Sequence, residues 1–250
     1  MIDNLKAVIR GRPVAILLPG PSIKELEVRI KELKKLDICY ASVNDFWVME
    51  KEILSHIDKQ IEVLLASAKE CRVPNRQHTD YLNRQQRNIL LTSKVSFERD
   101  LVKYMQTYPD RLIFFTTDHN YQSLQCPSPE RPVHFFAQAS LAVLLSFILI
   151  GGADTVLLFG ADGGDRKRQG LYYKGWTGEA EFKIGYDTGV FNMTMPTLLQ
   201  NVCKTYSIEK LRILNVSPDS YYVPFPRLTY DNALKFLKEE YGHLSQSGIP

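Results

Sequence analysis

The sequence predicts an α/β fold, a Rossmann-like and mostly parallel sheet with helices on both faces and a small lid region. Three observations predict it. Short, continuous apolar runs recur along the chain, helical stretches lie between them, and the glycine-, serine- and aspartate-rich spots fall directly after the apolar runs. A strand covered on both faces reads as a continuous apolar run, and strands that alternate with helices pair in parallel. Such sheets hold their ligands beyond the carboxyl ends of the strands, at a topological switch point.

Residues 13–18 read as the first buried strand, followed by Gly20-Pro21-Ser22 and a helix over 22–36 with apolar residues at helical spacing. Residues 36–43 read as a second strand ending at Asn44, 45–57 as a helix, and 60–66 as a third strand. The stretch 75–108 is polar and largely helical in pattern, and 111–116 reads as a fourth strand. A proline-rich, polar loop is expected over 117–132, then a buried helix over 137–151 that Gly151-Gly152 stops. Residues 155–159 form a fifth strand that runs into Gly160-Ala161-Asp162-Gly163-Gly164, and 195–206 are helical. A sixth strand over 211–216 and a last helix over 230–241 complete the pattern. The expected organisation is one domain over 1–250, with a lid or flap at 163–194.

Composition narrows the functional classes. The chain has 250 residues, 44% of them hydrophobic, which supports an ample core. Its net charge of +3 comes without a dense Lys/Arg block, so a nucleic-acid partner is not expected. The N-terminal residues lack the charged-then-apolar pattern of a leader, and the apolar stretch Ala137–Ala153 is too short to span a membrane. Cys39, Cys71, Cys126 and Cys203 are scattered without a CxxC spacing, which points to reduced thiols and a cytoplasmic location.

The chemistry-bearing candidates lie at the strand ends. Gly20-Pro21-Ser22 has the strand–turn–helix form that receives a phosphate; a serine-capped turn is the alternative. Asn44-Asp45 offers an amide and a carboxylate to a base or ribose, or a cap to the next helix. Asp162 and Asp165 can hold Mg²⁺ with substrate phosphates, and Arg166, Lys167 and Arg168 follow them; a solvated loop of paired charges is the other reading. Tyr172, Tyr173, Trp176 and Tyr186 suit sugar stacking or phosphate hydrogen bonds, or the packing of a flap. Of the five histidines, His119 and His134 fall where a cleft is expected, and none stands at metal-ligand spacing. No GxSxG elbow supports a serine hydrolase.

Four segments, in order, resemble the bacterial CMP-sialic-acid-dependent sialyltransferases of glycosyltransferase family 42. They are ILLPGPSIKEL, YASVN, AQASLAVLLSFILIGGADTVLLFGAD and VCKTYSIEKLRILNVSPDS. The same pattern is similar to a wider group that includes archaeal 6-hydroxymethylpterin pyrophosphokinases and flagellin-glycosylation proteins. The resemblance implies a nucleotide site in which Gly20, Pro21 and Ser22 lie at the nucleotide and Asn44 at the nucleotide or donor sugar. It implies Ser140 near the phosphate, Asp162 at the cytidine-side strand end, and Tyr172 or Tyr173 as the phosphate-binding tyrosine. Three positions depart from the family. Pro19 replaces an asparagine, Gly163-Gly164 replaces Phe-Tyr, and no histidine occurs between His134 and His243. Asp187 of the lid, or His134 from the cleft wall, then stands as the candidate base for an acceptor hydroxyl.

The expected function is therefore nucleotide-sugar-dependent glycosyl transfer, with a CMP-sugar donor and a glycan or other hydroxyl acceptor. It needs no metal cofactor. The alternatives are a Mg²⁺-dependent pyrophosphokinase or phosphotransferase, and a nucleotide-binding module without catalysis. The resemblance also suggests a homo-oligomer.

Overall fold

The computed structural model describes residues 2–44, 46–66, 76–84, 87–93, 107–117, 133–134, 140–162, 199–200, 202–204, 211–217, 220 and 224–242. The strands are β1 (Val14–Leu17), β2 (Cys39–Val43), β3 (Val63–Ala66), β4 (Ile89–Ser93), β5 (Leu112–Thr117), β6 (Val133–His134), β7 (Thr155–Phe159) and β8 (Arg212–Asn215). They form one eight-stranded sheet in the order β6-β5-β4-β3-β2-β1-β7-β8. Every neighbouring pair runs parallel, so the structure is the α/β Rossmann-like fold that the strand–helix alternation predicts.

The chain lays strands outward from β1 to β6, then returns to place β7 and β8 on the other side of β1. Parallel crossovers are right-handed, so a reversal of direction sends the connections to opposite faces. Helices α2 (Lys24–Arg29), α3 (Trp47–Glu52), α4 (Arg76–Arg84) and α6 (Tyr230–Tyr241) cover one face. Helices α1 (Ile2–Ile9) and α5 (Ser140–Ile150), with the helical residues around Leu199 and Val202, cover the other. In β1, Val14 and Ile16 pack toward α1 and α5, while Ala15 and Leu17 pack toward α2 and α6. That two-sided burial is why its residues are apolar without alternation.

Helix α5 is buried at every position from Leu141 to Ile150 and packs on β2, β3 and α1. A helix apolar all round is stable only when enclosed in this way. It ends at Gly151 and at Gly152, whose φ of +88° is the left-handed conformation favouring glycine at a helix stop. Helix α6 instead buries one stripe, Tyr230, Ala233, Leu234, Leu237 and Tyr241. Its Thr229 cap accepts a hydrogen bond from the Asn232 N–H at 3.3 Å. Its outer side is tied to the α2 region by ion pairs Arg29–Asp231 and Lys238–Glu32.

The structure departs from the sequence expectations at named places. The stretch 75–108 was expected to be largely helical, yet among its described residues β4 is an inner strand of the sheet that follows helix α4. Two buried polar side chains at that strand donate to backbone carbonyls. Asn88 Nδ2 donates to the Tyr81 carbonyl at 3.0 Å, and Thr92 Oγ1 donates to the Ala66 carbonyl at 3.0 Å. A strand bounded by buried polar groups reads as polar sequence. The expected helix over 45–57 is divided into α3 and a 3-10 turn, Leu54–Ile57, that stops at left-handed Asp58. Helix α1 and the two-residue β6 were not anticipated. The expected lid at 163–194 and the loop residues 118–132 lie outside the described residues. No helix among the described residues is long and apolar enough to cross a membrane.

Phe147 of α5 is 1% exposed, so Phe147→Ala is expected to lower the unfolding free energy by about 3–5 kcal/mol in urea titrations. Val28 on α2 is 78% exposed, and Val28→Ala is expected to change it by less than about 0.5 kcal/mol.

Candidate functional site

The reversal of winding falls between β1 and β7. In register, Leu17 lies opposite Phe159 on that side and opposite Ser42 of β2 on the other. The helical residues that follow β1 and β7, α2 and those around Leu199, lie on opposite faces, the arrangement found at topological switch points in sheets of this kind. Gly20-Pro21-Ser22 and the described Gly160-Ala161-Asp162 part of the aspartate motif are at this point.

They are bonded to each other. Leu18 N–H donates to the Phe159 carbonyl at 2.9 Å, and Gly20 N–H donates to the Gly160 carbonyl at 3.0 Å. The Asp162 carboxylate then turns back onto the β1 turn. Its Oδ2 accepts from the Ser22 N–H at 2.7 Å, and its Oδ1 accepts from the Ser22 hydroxyl. Gly20 is required by this approach. A Cβ there would stand 2.3 Å from the Gly160 carbonyl oxygen and 2.6 Å from Asp162 Oδ2.

Pro21 opens the 3-10 turn Pro21–Ile23 and has no N–H. Ile23 N–H donates to the Gly20 carbonyl, and Lys24 N–H faces the Pro21 and Ser22 carbonyls. Each N–H from Gly20 to Lys24 thus has an acceptor within the protein. A helix entrance favours an anion, and here the chain supplies one in Asp162, which is 7% exposed.

Two further contacts brace this junction. Ala161 N–H donates to Ser217 Oγ at 2.6 Å, and Ser217 N–H donates to Asn215 Oδ1 at 2.9 Å, so the turn after β8 supports the turn after β7. Tyr230 of α6 donates its hydroxyl to the Ser22 carbonyl at 2.8 Å and sets its ring 5.8 Å from that of Phe159. Burial pushes the Tyr230 phenol up from its ordinary value, so the hydroxyl keeps its proton at neutral pH.

The other sequence candidates are placed unevenly. Asn44 follows β2, is half-buried, and has a left-handed φ of +53°. Its N–H donates to the Leu65 carbonyl at 2.6 Å, and its carbonyl accepts from Phe46 N–H at 2.7 Å. The N-cap position of α3 is held by Phe46, without a side-chain cap bond, and Asp45, weighed with Asn44 as a cap, lies outside the described residues. The β1–β2 register carried two residues past Ser42 puts Asn44 level with Pro19, on the rim of the crevice. Ser140 is the first residue of α5, and α5 joins the end of β6 to the start of β7. That connection makes α5 antiparallel to the strands and starts it at the carboxyl rim.

His134 lies on β6, five strands from β1, or roughly 24 Å at the usual strand spacing. The topology does not bring it to the switch point. Asp165, Tyr172, Tyr173 and Asp187 lie outside the described residues. Among the described residues, no three His, Cys, Asp or Glu side chains are grouped to hold a metal ion. The sequence pointed to the turn 217–220 by its place after a strand without giving Ser217 a role, and it gave no sign of Tyr230, which read only as the start of a helix.

No family model and no curated protein matches the sequence. By structure, the chain is similar to the monofunctional alpha-2,3-sialyltransferase Cst-I from Campylobacter jejuni, with a TM-score of 0.50 at 14% identity. The match covers 86% of this chain and 81% of that one. At this identity it shows a shared fold.

Gly20→Ala is expected to cost about 1–3 kcal/mol of stability through overpacking, read as a lowered Tm. Adding Asp162→Ala should not restore it, because the Gly160 carbonyl remains 2.3 Å from the new methyl.

Proposed function

We propose that this protein binds a nucleotide at the β1–β7 switch point and acts as a nucleotide-sugar-dependent glycosyltransferase, with a CMP-activated sugar as donor. The observation that carries this proposal is the meeting of the Gly20-Pro21-Ser22 and Gly160-Ala161-Asp162 turns at the switch point. The fold shared with a sialyltransferase over most of both chains supports it.

The commitment of the turn's donors divides the roles. Gly20, Pro21, Ser22 and Asp162 form the wall against which the nucleotide rests, and Asn44 faces the nucleotide or donor sugar from the neighbouring strand end. Since Ser22 gives both its donors to Asp162, a phosphate has better donors elsewhere. Ser140, at the start of an eleven-residue helix, is one candidate. The hydroxyls of Tyr172 or Tyr173 are others, and they stabilise negative charge gathering on the leaving phosphate. Asp187 takes the proton from the acceptor hydroxyl, which requires surroundings that raise its affinity for a proton.

Thermal shift checks the binding step. CMP at about a hundred times its Kd should add roughly 2.7 kcal/mol of stability, and EDTA should leave that shift intact. The purified protein should also hydrolyse a CMP-sugar slowly, and Asp187→Ala should abolish that hydrolysis. No shift with any cytidine or uridine nucleotide would overturn the proposal. Activity with ATP that disappears in EDTA would favour a Mg²⁺-dependent phosphotransferase, and CMP binding without turnover a nucleotide-binding module.

A further inference from the structure

We propose that Tyr230, on the last helix of the described chain, is a positioning residue for the ligand site at the switch point. Its hydroxyl holds the Ser22 carbonyl and thereby fixes the donors that Ser22 turns toward Asp162. Calling this place a ligand site rests on the function proposed above; the positioning itself does not.

The geometry gives Tyr230 contacts on both sides of the junction. Its ring packs against Phe159, the last residue of β7, and its hydroxyl reaches the turn that follows β1. One side chain therefore touches the end of β7 and the turn that follows β1. It is 2% exposed, and a buried phenol needs a partner for its proton. The acceptor it takes is the carbonyl of the residue whose N–H and hydroxyl both point at Asp162.

Helix α6 is held against the α2 region at two other places, Arg29–Asp231 and Lys238–Glu32. These pairs are solvent-exposed on at least one side, and exposed ion pairs fix geometry weakly. The buried hydroxyl is the contact that sets the register of α6 against the β1 turn.

Tyr230→Phe tests this, because it keeps the ring and its burial and removes one hydrogen bond. Hydrogen exchange should show the Ser22 and Ile23 amides exchanging at least tenfold faster, with the amides of β2 and β3 unchanged. A purely structural role would instead speed exchange throughout the sheet. The Kd for CMP should weaken about 5- to 20-fold in Tyr230→Phe and stay within twofold in Arg29→Ala. Unchanged exchange at Ser22 overturns the inference, whatever the affinity. Faster exchange at Ser22 in a protein whose wild type binds no nucleotide upholds the positioning and tells against the proposed function. If Tyr230→Phe folds poorly, Tyr230→Met is read by the same local exchange pattern.

Discussion

Where this chain reverses its winding, β1 and β7 end side by side, and the Asp162 carboxylate joins the turns that follow them by accepting two hydrogen bonds from Ser22. The junction solves a problem that the topology creates. Parallel strands that end side by side leave backbone N–H groups at their tips, and a diverging pair of loops offers them few backbone acceptors. Here Gly160 supplies a carbonyl to Gly20, and Asp162 supplies a charged acceptor to Ser22. Charge-assisted bonds of this type are stronger than neutral ones, and a nearly buried carboxylate requires them. The glycine follows from the same contact, because any side chain at position 20 would collide with Gly160 and Asp162.

The rest of the site is arranged around that bond. The turn after β8 holds Ala161 from one side through Ser217, and α6 holds Ser22 from the other through Tyr230. Asn44 sits one strand away in a left-handed conformation, with both its N–H and its carbonyl engaged by the backbone. The result is a rigid wall of internally bonded groups in place of an open cradle of free amides. The nucleotide proposed for this site would meet a carboxylate and shaped backbone, and its phosphate would need other donors. This distinguishes the site from a glycine-rich loop that binds phosphate by wrapping it in unpaired N–H groups.

Much of the fold was legible because buried parallel strands leave a plain signal. The strand over 155–159 and the helix over 230–241 coincide with their expected bounds, and α5 is the enclosed helix its composition predicts. β4 was not legible, since its apolar run is flanked by Asn88 and Thr92, whose burial is made tolerable only by partners elsewhere in the fold. Helix α1 has apolar residues 2, 5, 8 and 9 at helical spacing, a signal that was present and not used. At the site, the strand-end rule placed Gly20, Ser22, Asn44 and Asp162 near the switch point. It did not foresee that Ser22 and Asp162, 140 residues apart, would bond to each other, nor that Tyr230 would join them from 208 residues away. Such contacts are set by how helices pack across the sheet, which local patterns do not record.

The bonds between Ser22 and Asp162 should couple the two residues energetically across the switch point. A double-mutant cycle measures it directly: Ser22→Ala, Asp162→Ala and the pair, each unfolded in urea. The expected coupling is about 1.5–3 kcal/mol, the range for a hydrogen bond to a charged acceptor. Effects that add to within about 0.3 kcal/mol would contradict it.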